Sequence, residues 1–450
     1  MSLSSGTPKF RVAICGAGIG GLVLAVTIGK FAGRDVQIDL YEAHDAITAT
    51  GAGIVFSRRT MEVIEALGLY EEISCVSAKP PSSSHGPQFR KSDIPTGGFK
   101  WFQRLVGQSD PVTMHRQLLV DILKRHLPSS CTVHFNKRLT KYDMLSAGSL
   151  VLHFADDSTE TTDVLIGADG IRSSVRKTLF ETLDRDIVDS SKITHYTDAS
   201  WTGTVVYRAI LPAEKLSEID PNNVALREFV MFCGKDKHIT AYPVSQGTLI
   251  NVAAIVSDEQ KAGTPFKGRW VSQVSREGVE EAYQNFEPAV KSLLKCCENM
   301  SRWALHTVNE LPLASCDRVA LIGDACHAMT PHMGAGAGQA MEDAFVLGRL
   351  LAHPLTTLDN VSAALKAYQD VRLPAAQLVA RNSRLAGHMF HFNVPGYYDG
   401  TDHGNEQEEL RILEEMIISH FEAQGKDGAM AEWQQAEKSL QGSVGLCNDC

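Results

Sequence analysis

Short, mostly apolar runs recur through the first third of the chain, each the length of a strand buried on both faces. Phe10 to Cys15 (FRVAIC) and Val36 to Tyr41 (VQIDLY) are two of them, and the small-residue run Leu22 to Ile28 between them reads as a helix. The same signature returns at Val164 to Ile166 and at Arg318 to Gly323 (RVALIG). Cys131 to Asn136 and Leu150 to Phe154 read as further strands, the second closed by the turn Ala155-Asp156-Asp157-Ser158. Helical spacing appears in Thr60 to Leu67, closed by Gly68, and in Thr113 to His126, where Leu118, Leu119, Ile122 and Leu123 share a face. Strands alternating with helices predict a parallel sheet.

From about Asp186 to Leu311 the pattern changes. Gly203 to Leu211, Phe229 to Cys233, His238 to Val244 and Thr248 to Ile255 follow one another as strand-like segments, the mark of an antiparallel layer, and a helix-like stretch, Gly278 to Cys297, comes after them. Later, Gln339 to Leu351 reads as a helix, Val361 to His388 as a long amphipathic helical stretch interrupted at Pro374, and Glu406 to Leu440 as a charged helical tail. Lys79 to Pro111, rich in Pro, Ser and Gly around Phe99, Trp101 and Phe102, reads as a loop or irregular hairpin. The expected division is 8–185 and 312–360 for the two parts of a parallel-sheet domain, 186–311 for the antiparallel domain and 361–450 for a C-terminal helical region. The chain has no internal repeat.

A length of 450 residues suits two or three domain-sized units. The net charge of -10, with no Lys/Arg run, excludes nucleic acid as the expected partner and points to small molecules. The N-terminus lacks the features of a secretory signal, and Leu22 to Ile28 is too short to span a bilayer, so no transmembrane segment is expected. Ten cysteines scattered over the chain suit free thiols in a reducing compartment, which places the protein in the cytoplasm. Cys447-Asn-Asp-Cys450 has metal or redox spacing but no second pair, and no metal site is expected.

The chemistry is concentrated in three glycine-bearing turns. In Gly16-Ala17-Gly18-Ile19-Gly20-Gly21, Gly16 permits the sharp turn, Gly18 lets backbone N–H groups approach a pyrophosphate, and Gly21 lets the helix pack on the strand. Phosphates would sit on the helix N-terminus. Glu42 ends the second strand 21 residues after Gly21, where a βαβ unit places the acceptor for a ribose hydroxyl. A plain glycine turn is the simpler alternative, and the flanking strand, helix and acid weigh against it. The pair Gly51 and Gly53 lets the backbone lie close to a flat ligand. In Asp163 to Arg176 (DVLIGADGIRSSVR) a turn leads to a helix starting near Ile171, and Asp169 can cap that helix or accept a ligand hydroxyl. Finally, Asp324 precedes Pro331-His332-Met333 and the run Gly334 to Gly338, a rigid, donor-rich ledge at a helix N-terminus. His115-Arg116 opens the helix to His126, and Arg116 alone reads as a solvated charge.

GAGIGG, GADGIRSSVR and GDACHAMTPHMGAGAGQAMEDA, in this order, resemble the single-component FAD-dependent aromatic hydroxylases, class A flavoprotein monooxygenases, over residues 10 to about 385. Within them the chain is most similar to salicylate hydroxylases and their fungal relatives. The resemblance implies a para-hydroxybenzoate hydroxylase-like α/β fold: a Rossmann-like FAD-binding domain, a smaller antiparallel-sheet substrate domain and C-terminal helices. It implies FAD as cofactor, with NADH or NADPH as a transient electron donor and dioxygen as co-substrate. Gly16, Gly18 and Gly21 would hold the pyrophosphate, Glu42 the ribose and Arg116 the middle of FAD. Asp169 belongs to the motif serving FAD and NAD(P)H, Asp324 would bind the ribityl or pyrophosphate portion, and Gly334 to Gly338 would lie along the isoalloxazine.

The implied reaction is hydroxylation of a phenolic or aromatic acid through a flavin C4a-hydroperoxide, with loss of carbon dioxide where a carboxylate occupies the attacked carbon. His332 is the candidate base or hydrogen-bond partner, with a helix-capping role as its plain alternative. Arg208 and Tyr242 match positions that hold the phenolate in fungal relatives, and a surface charge and a core aromatic are their plain alternatives. Tyr207 faces away from Arg208 if the strand is regular. His327 is expected to act from behind the site and His115 to be structural. An epoxidase or tailoring hydroxylase of a non-phenolic ring, or a non-catalytic FAD-binding redox sensor, are the competing functions, and the assembly is read as monomer or homodimer. The chain departs from the family pattern at Met333, where bacterial salicylate hydroxylases typically have Gln, and at Arg58-Arg59, where small or amide residues are commoner.

Overall fold

A computed structural model describes residues 8–48, 53–77, 85–105, 112–146, 148–184, 186–423 and 428–448. Gly51 and Ala52 of the second glycine segment, Cys450 with the side chain of Cys447, and parts of 79–111 lie outside them.

The apolar runs build one six-stranded sheet in the order Ser315–Cys316, Val319–Leu321, Val164–Gly167, Phe10–Cys15, Val36–Tyr41 and Cys131–His134. All neighbours but the first pair run parallel, with Val12 between Val164 and Ile38. Phe10–Cys15 lies inside the sheet between Val164–Gly167 and Val36–Tyr41, and all of its residues but Arg11 are buried, which is why it is apolar. Helices Ile19–Ala32 and Gly336–Ala352 pack against each other beside this sheet, so both glycine turns open at its same end.

The second sheet has eight strands: Val271–Val274, Met300–Thr307, Ser200–Pro212, Leu249–Ser257, Lys237–Val244, Val230–Gly234, His85–Lys91 and Phe99–Leu105. Every pairing is antiparallel except that of Val230–Gly234 with His85–Lys91. Period-2 alternation divides its faces. Ile239, Ala241, Val252 and Ala254 face a core shared with Val279, Val290 and Leu293 from two helices and with Tyr283 just after the first of them. His238, Thr240, Tyr242, Asn251, Ala253 and Ile255 face a cavity.

Several elements differ from their sequence signature. Residues 112–115 are not helical: Val112–His115 is a strand paired with Gly53–Phe56, and the helix is Arg116–Arg125, because the backbone of 112–115 has a partner strand to pair with. His115 caps it, its Nδ1 accepting from Gln117 N at 3.3 Å. The helix placed near Ile171 begins at Ser174, since Gly170 at φ 76° holds the chain out of helix until the Asp169 carboxylate meets the N–H groups of Ser174 and Val175. Gly278 to Cys297 is two helices, Arg276–Ala282 and Pro288–Lys295, the second starting at its proline. The helix after the ledge starts at Gly336, inside the glycine run. Pro374 does not interrupt its helix, which runs from Val361 to Phe390.

Strands Val271–Val274 and Met300–Thr307 carry no clear sequence signal. His85–Lys91 and Phe99–Leu105 form an irregular hairpin that extends the antiparallel sheet from upstream of residue 186. Its aromatic residues join a core with Phe390, Phe392, Leu410, Leu413 and Ile417, and Trp101 Nε1 donates to the Leu410 carbonyl at 2.9 Å. The charged tail is two docked helices, Glu406–Ala423 and Ala429–Asn448.

Candidate active site

Between the two sheets lies a cavity of about 590 Å³. Its parallel-sheet end is lined by Gly18, Gly20, Gly170, Gly323, Asp324 and the ledge from Pro331 to Ala337; its antiparallel end by Arg208, His238, Tyr242, Phe390 and Phe421. Arg116 and Gly53 stand between the ends.

The first turn is shaped by close approach. Gly16 has φ 109°, and a β-carbon there would collide with the Ala168 carbonyl; a β-carbon at Gly21 would collide with the Gly16 carbonyl. At Gly18 a β-carbon would have nothing within 4 Å, so backbone there faces open space. Helix Ile19–Ala32 starts at this point with no side-chain cap, leaving its first N–H groups for an anion. The ledge has the same character: Gly334 at φ 62° bends the chain, its N–H donating to the Pro331 carbonyl at 2.9 Å, and helix Gly336–Ala352 opens without a side-chain cap. Two uncapped helix starts and a glycine floor around one elongated cavity fit a dinucleotide bearing a flat ring system.

The acids divide. Asp324 is exposed on the cavity wall. Glu42 lies beside the first turn and not on the wall: its carboxylate accepts from Ala17 N at 3.1 Å and His44 N at 3.0 Å. Asp169 accepts from Ser173 Oγ, from Ser174 N at 2.7 Å and from Val175 N at 3.1 Å, and burial raises its carboxyl above the usual range against those bonds. Both acids therefore shape turns that meet the cavity.

At the other end, Arg208 is half-buried, its buried Nε has no partner, and its guanidinium sits 5.2 Å from the Trp303 ring. Burial, then the nearby Arg116, lowers its pKa, yet an arginine keeps its charge. Among the described residues lining the cavity the only carboxylate is Asp324, so this cation has no protein counter-ion facing it. Tyr242 is 8% exposed, touches Gly53 so closely that a β-carbon there would collide with its hydroxyl, and packs on Phe229 at 4.8 Å. Burial pushes its phenol up to about 12, against the pull of Arg208, so it remains a donor. His332 Nδ1 has no partner, and burial, then His388, brings its imidazole down to about 3. Gly387 makes room for that ring, since a β-carbon at Gly387 would strike it. Tyr207 packs toward the opposite core, away from Arg208.

Arg59 and Arg58 do not line the cavity. Arg59 is bound to Glu342 at 2.7 Å and Glu432 at 2.6 Å, and Arg58 lies 3.5 Å from Glu62 on the surface. His327 is buried against Asp343 at 2.5 Å. Sequence reasoning missed His238, Met231, Thr240 and Asn251 on the wall. Alternation from Tyr242 points to Thr240 and His238, which share its face; no pattern signals the others.

The parallel-sheet floor, the antiparallel wall and the cation-lined chamber between them define an FAD-dependent monooxygenase. The chain belongs to this class: residues 9–383 match the family model described as FAD binding domain. It is 34% identical over 396 residues to salicylate hydroxylase of Pseudomonas putida, covering 86% of this chain and 87% of that one. A 6-methylsalicylate 1-monooxygenase of Aspergillus terreus is 32% identical over 87% of this chain and 85% of its own length. Among solved structures, a salicylate hydroxylase substrate complex superposes with a TM-score of 0.81 at 31% identity, covering 95% of this chain and 98% of that one. The protein is a salicylate hydroxylase-like flavoprotein monooxygenase of aromatic substrates, and its fold is the para-hydroxybenzoate hydroxylase-like one. Among the described residues, no helix is long and apolar enough to cross a membrane.

Proposed function

We propose that the protein hydroxylates a phenolic acid, with NADH or NADPH as electron donor, and that it is of the fungal salicylate hydroxylase type. The observation that carries this reading is Arg208: a half-buried side chain at the chamber wall whose buried Nε has no partner. A buried unpaired charge is costly, and a substrate carboxylate or phenolate would offset it. A neutral ring would leave it uncompensated, which disfavours the non-phenolic tailoring reaction.

Bound FAD supplies hydride acceptance and dioxygen activation. Gly16, Gly18 and Gly21 would hold its pyrophosphate, Glu42 and Asp169 would keep the turns around it in shape, and Arg116 and Asp324 would meet its middle. The ring system would rest along Pro331, Gly334 and Gly336 beside Gly53. Arg208 binds the substrate anion, Tyr242 donates to a substrate oxygen, and neutral His332 is the base or hydrogen-bond partner for the phenol. Where the carboxylate stands on the attacked carbon it leaves as carbon dioxide. Eight free cysteines among the described residues support a cytoplasmic protein, acting as monomer or homodimer on small molecules and not on nucleic acid.

Oxygen uptake with NADH and NADPH over a panel of phenolic acids, with product mass for each hit, tests the reading. Substrate-dependent uptake and a product heavier by one oxygen, or hydroxylated with loss of carbon dioxide, are expected. Uptake stimulated only by neutral aromatics contradicts it.

A further inference from the structure

A second imidazole stands on the chamber wall and has a partner behind it. His238 is 0% exposed and shares the cavity-facing side of its strand with Thr240 and Tyr242. Its Nδ1 lies 2.7 Å from Nε2 of His391, while its own Nε2 has no partner. A buried nitrogen left unsatisfied forfeits the hydrogen bond that water gives it in the unfolded chain. On a cavity wall it points to a ligand atom. His391, 2% exposed, is the C-cap residue of helix Val361–Phe390 and so lies at the helix's negative end.

We propose that His238 and His391 form a two-imidazole relay that takes the phenolic proton of the substrate out of the chamber. The inference rests on the phenolic-acid reading above. With Nδ1–H of His238 donated to His391, Nε2 of His238 carries a lone pair toward the chamber. The substrate O–H bond breaks and its proton bonds to His238 Nε2; the Nδ1–H bond of His238 breaks and that proton joins His391 Nε2. A phenolate and an imidazolium result, with no change of oxidation state. The positive charge passes behind the wall, where the helix C-terminus offsets part of the opposition from burial, His388 and Lys235, so the imidazolium is short-lived. His332, whose ring is 5.4 Å from that of His238, keeps the role of hydrogen-bond partner.

The surroundings hold the pair ready. His332 faces both rings from the ledge, His388 and Lys235 approach His391, Cys233 pairs with His238 across the strands, and the Tyr283 hydroxyl donates to the His238 carbonyl. Glu259 bonds His388 at 2.6 Å. Burial first, then His332, keeps His238 neutral at rest, and burial first, then His238, His332, His388 and Lys235, keeps His391 so.

His391→Gln separates relay from support, because an amide oxygen still accepts from His238 but carries no proton onward. In the holoenzyme, with whichever of salicylate, 6-methylsalicylate and 4-hydroxybenzoate the wild type consumes fastest, kcat at pH 7 should fall about tenfold or more. KM and FAD content should stay within about threefold, and the deficit should shrink as pH rises and the bound phenol ionises unaided. A kcat equal to wild type across pH 6 to 9, or a loss of the same size at every pH, overturns the relay. Histidine-selective ¹⁵N NMR of the wild-type holoenzyme tests it without a variant: His238 should carry its proton on Nδ1, and the opposite tautomer overturns it. A wild type that consumes no phenolic acid sinks the reading beneath it as well, whereas an active wild type matched by His391→Gln sinks the relay alone.

Discussion

Arg372 Nε and Asp343 Oδ1 lie 2.9 Å apart, and both side chains are fully buried. The same guanidinium meets Glu342 at 3.1 Å and Glu432, and the same carboxylate holds Gly323 N at 2.9 Å and His327 Nε2 at 2.5 Å. A charge network thus sits beneath the Gly323-Asp324 turn. Asp343→Asn should destabilise the fold by about 3–5 kcal/mol, the usual cost of breaking a buried pair. Glu432→Gln, with its side chain 13% exposed, should cost less than half of that. Urea midpoints compare the two, and an equal or reversed order would refute the arrangement.

Gly18→Val and Gly16→Ala should fail in different ways. A β-carbon at Gly18 meets no protein atom within 4 Å, so the variant should melt like wild-type apoprotein yet purify without yellow colour. At Gly16 the φ of 109° and the Ala168 carbonyl both oppose a β-carbon, so even alanine should lower the melting temperature. FAD retained by a well-folded Gly18→Val protein would remove Gly18 from the cofactor site.

Arg208→Ala and His332→Ala should separate binding from chemistry. The first should raise KM for an anionic substrate about tenfold or more with flavin content unchanged. The second should leave FAD bound but divert NAD(P)H consumption into peroxide, lowering coupled product about tenfold or more. Unchanged KM would relocate the anion site, and full coupling would take His332 out of the reaction.

Acid should unfold the protein through its buried imidazoles. Burial holds His238 and His391 well below the ordinary range, so the folded protein refuses protons that the unfolded chain accepts near pH 6.5. Stability is then complete above about pH 6.5 and falls as the pH drops beneath it, by about 1.4 kcal/mol per pH unit for each ring. Urea unfolding between pH 7.5 and 5 should show this slope, and His391→Gln should flatten it by about one proton. Equal slopes would mean that His391 titrates normally in the fold.

Legibility followed burial geometry. Phe10–Cys15 and Val36–Tyr41 were readable to the residue because a strand covered on both faces has one short apolar solution. The wall strands were readable in outline, and Tyr242 with them, since a half-buried sheet alternates. Met300–Thr307 was not: its Ser, Arg, Trp and His are tolerated between two strands, where pairing outweighs propensity. His391 was illegible for a different reason. Its partner is 153 positions away, and no local period records a contact made by two elements folding together.

Glu432 is made 373 residues after Arg59, which it bonds at 2.6 Å. At about 5–20 residues per second, the ribosome needs roughly 20–75 s to travel from one to the other. Throughout that interval the nascent chain carries Arg59 without its second carboxylate, and over the last 60 residues of it Arg372 without its third. The contact between Arg59 and Glu432 is therefore made only after the whole parallel-sheet domain has been synthesised.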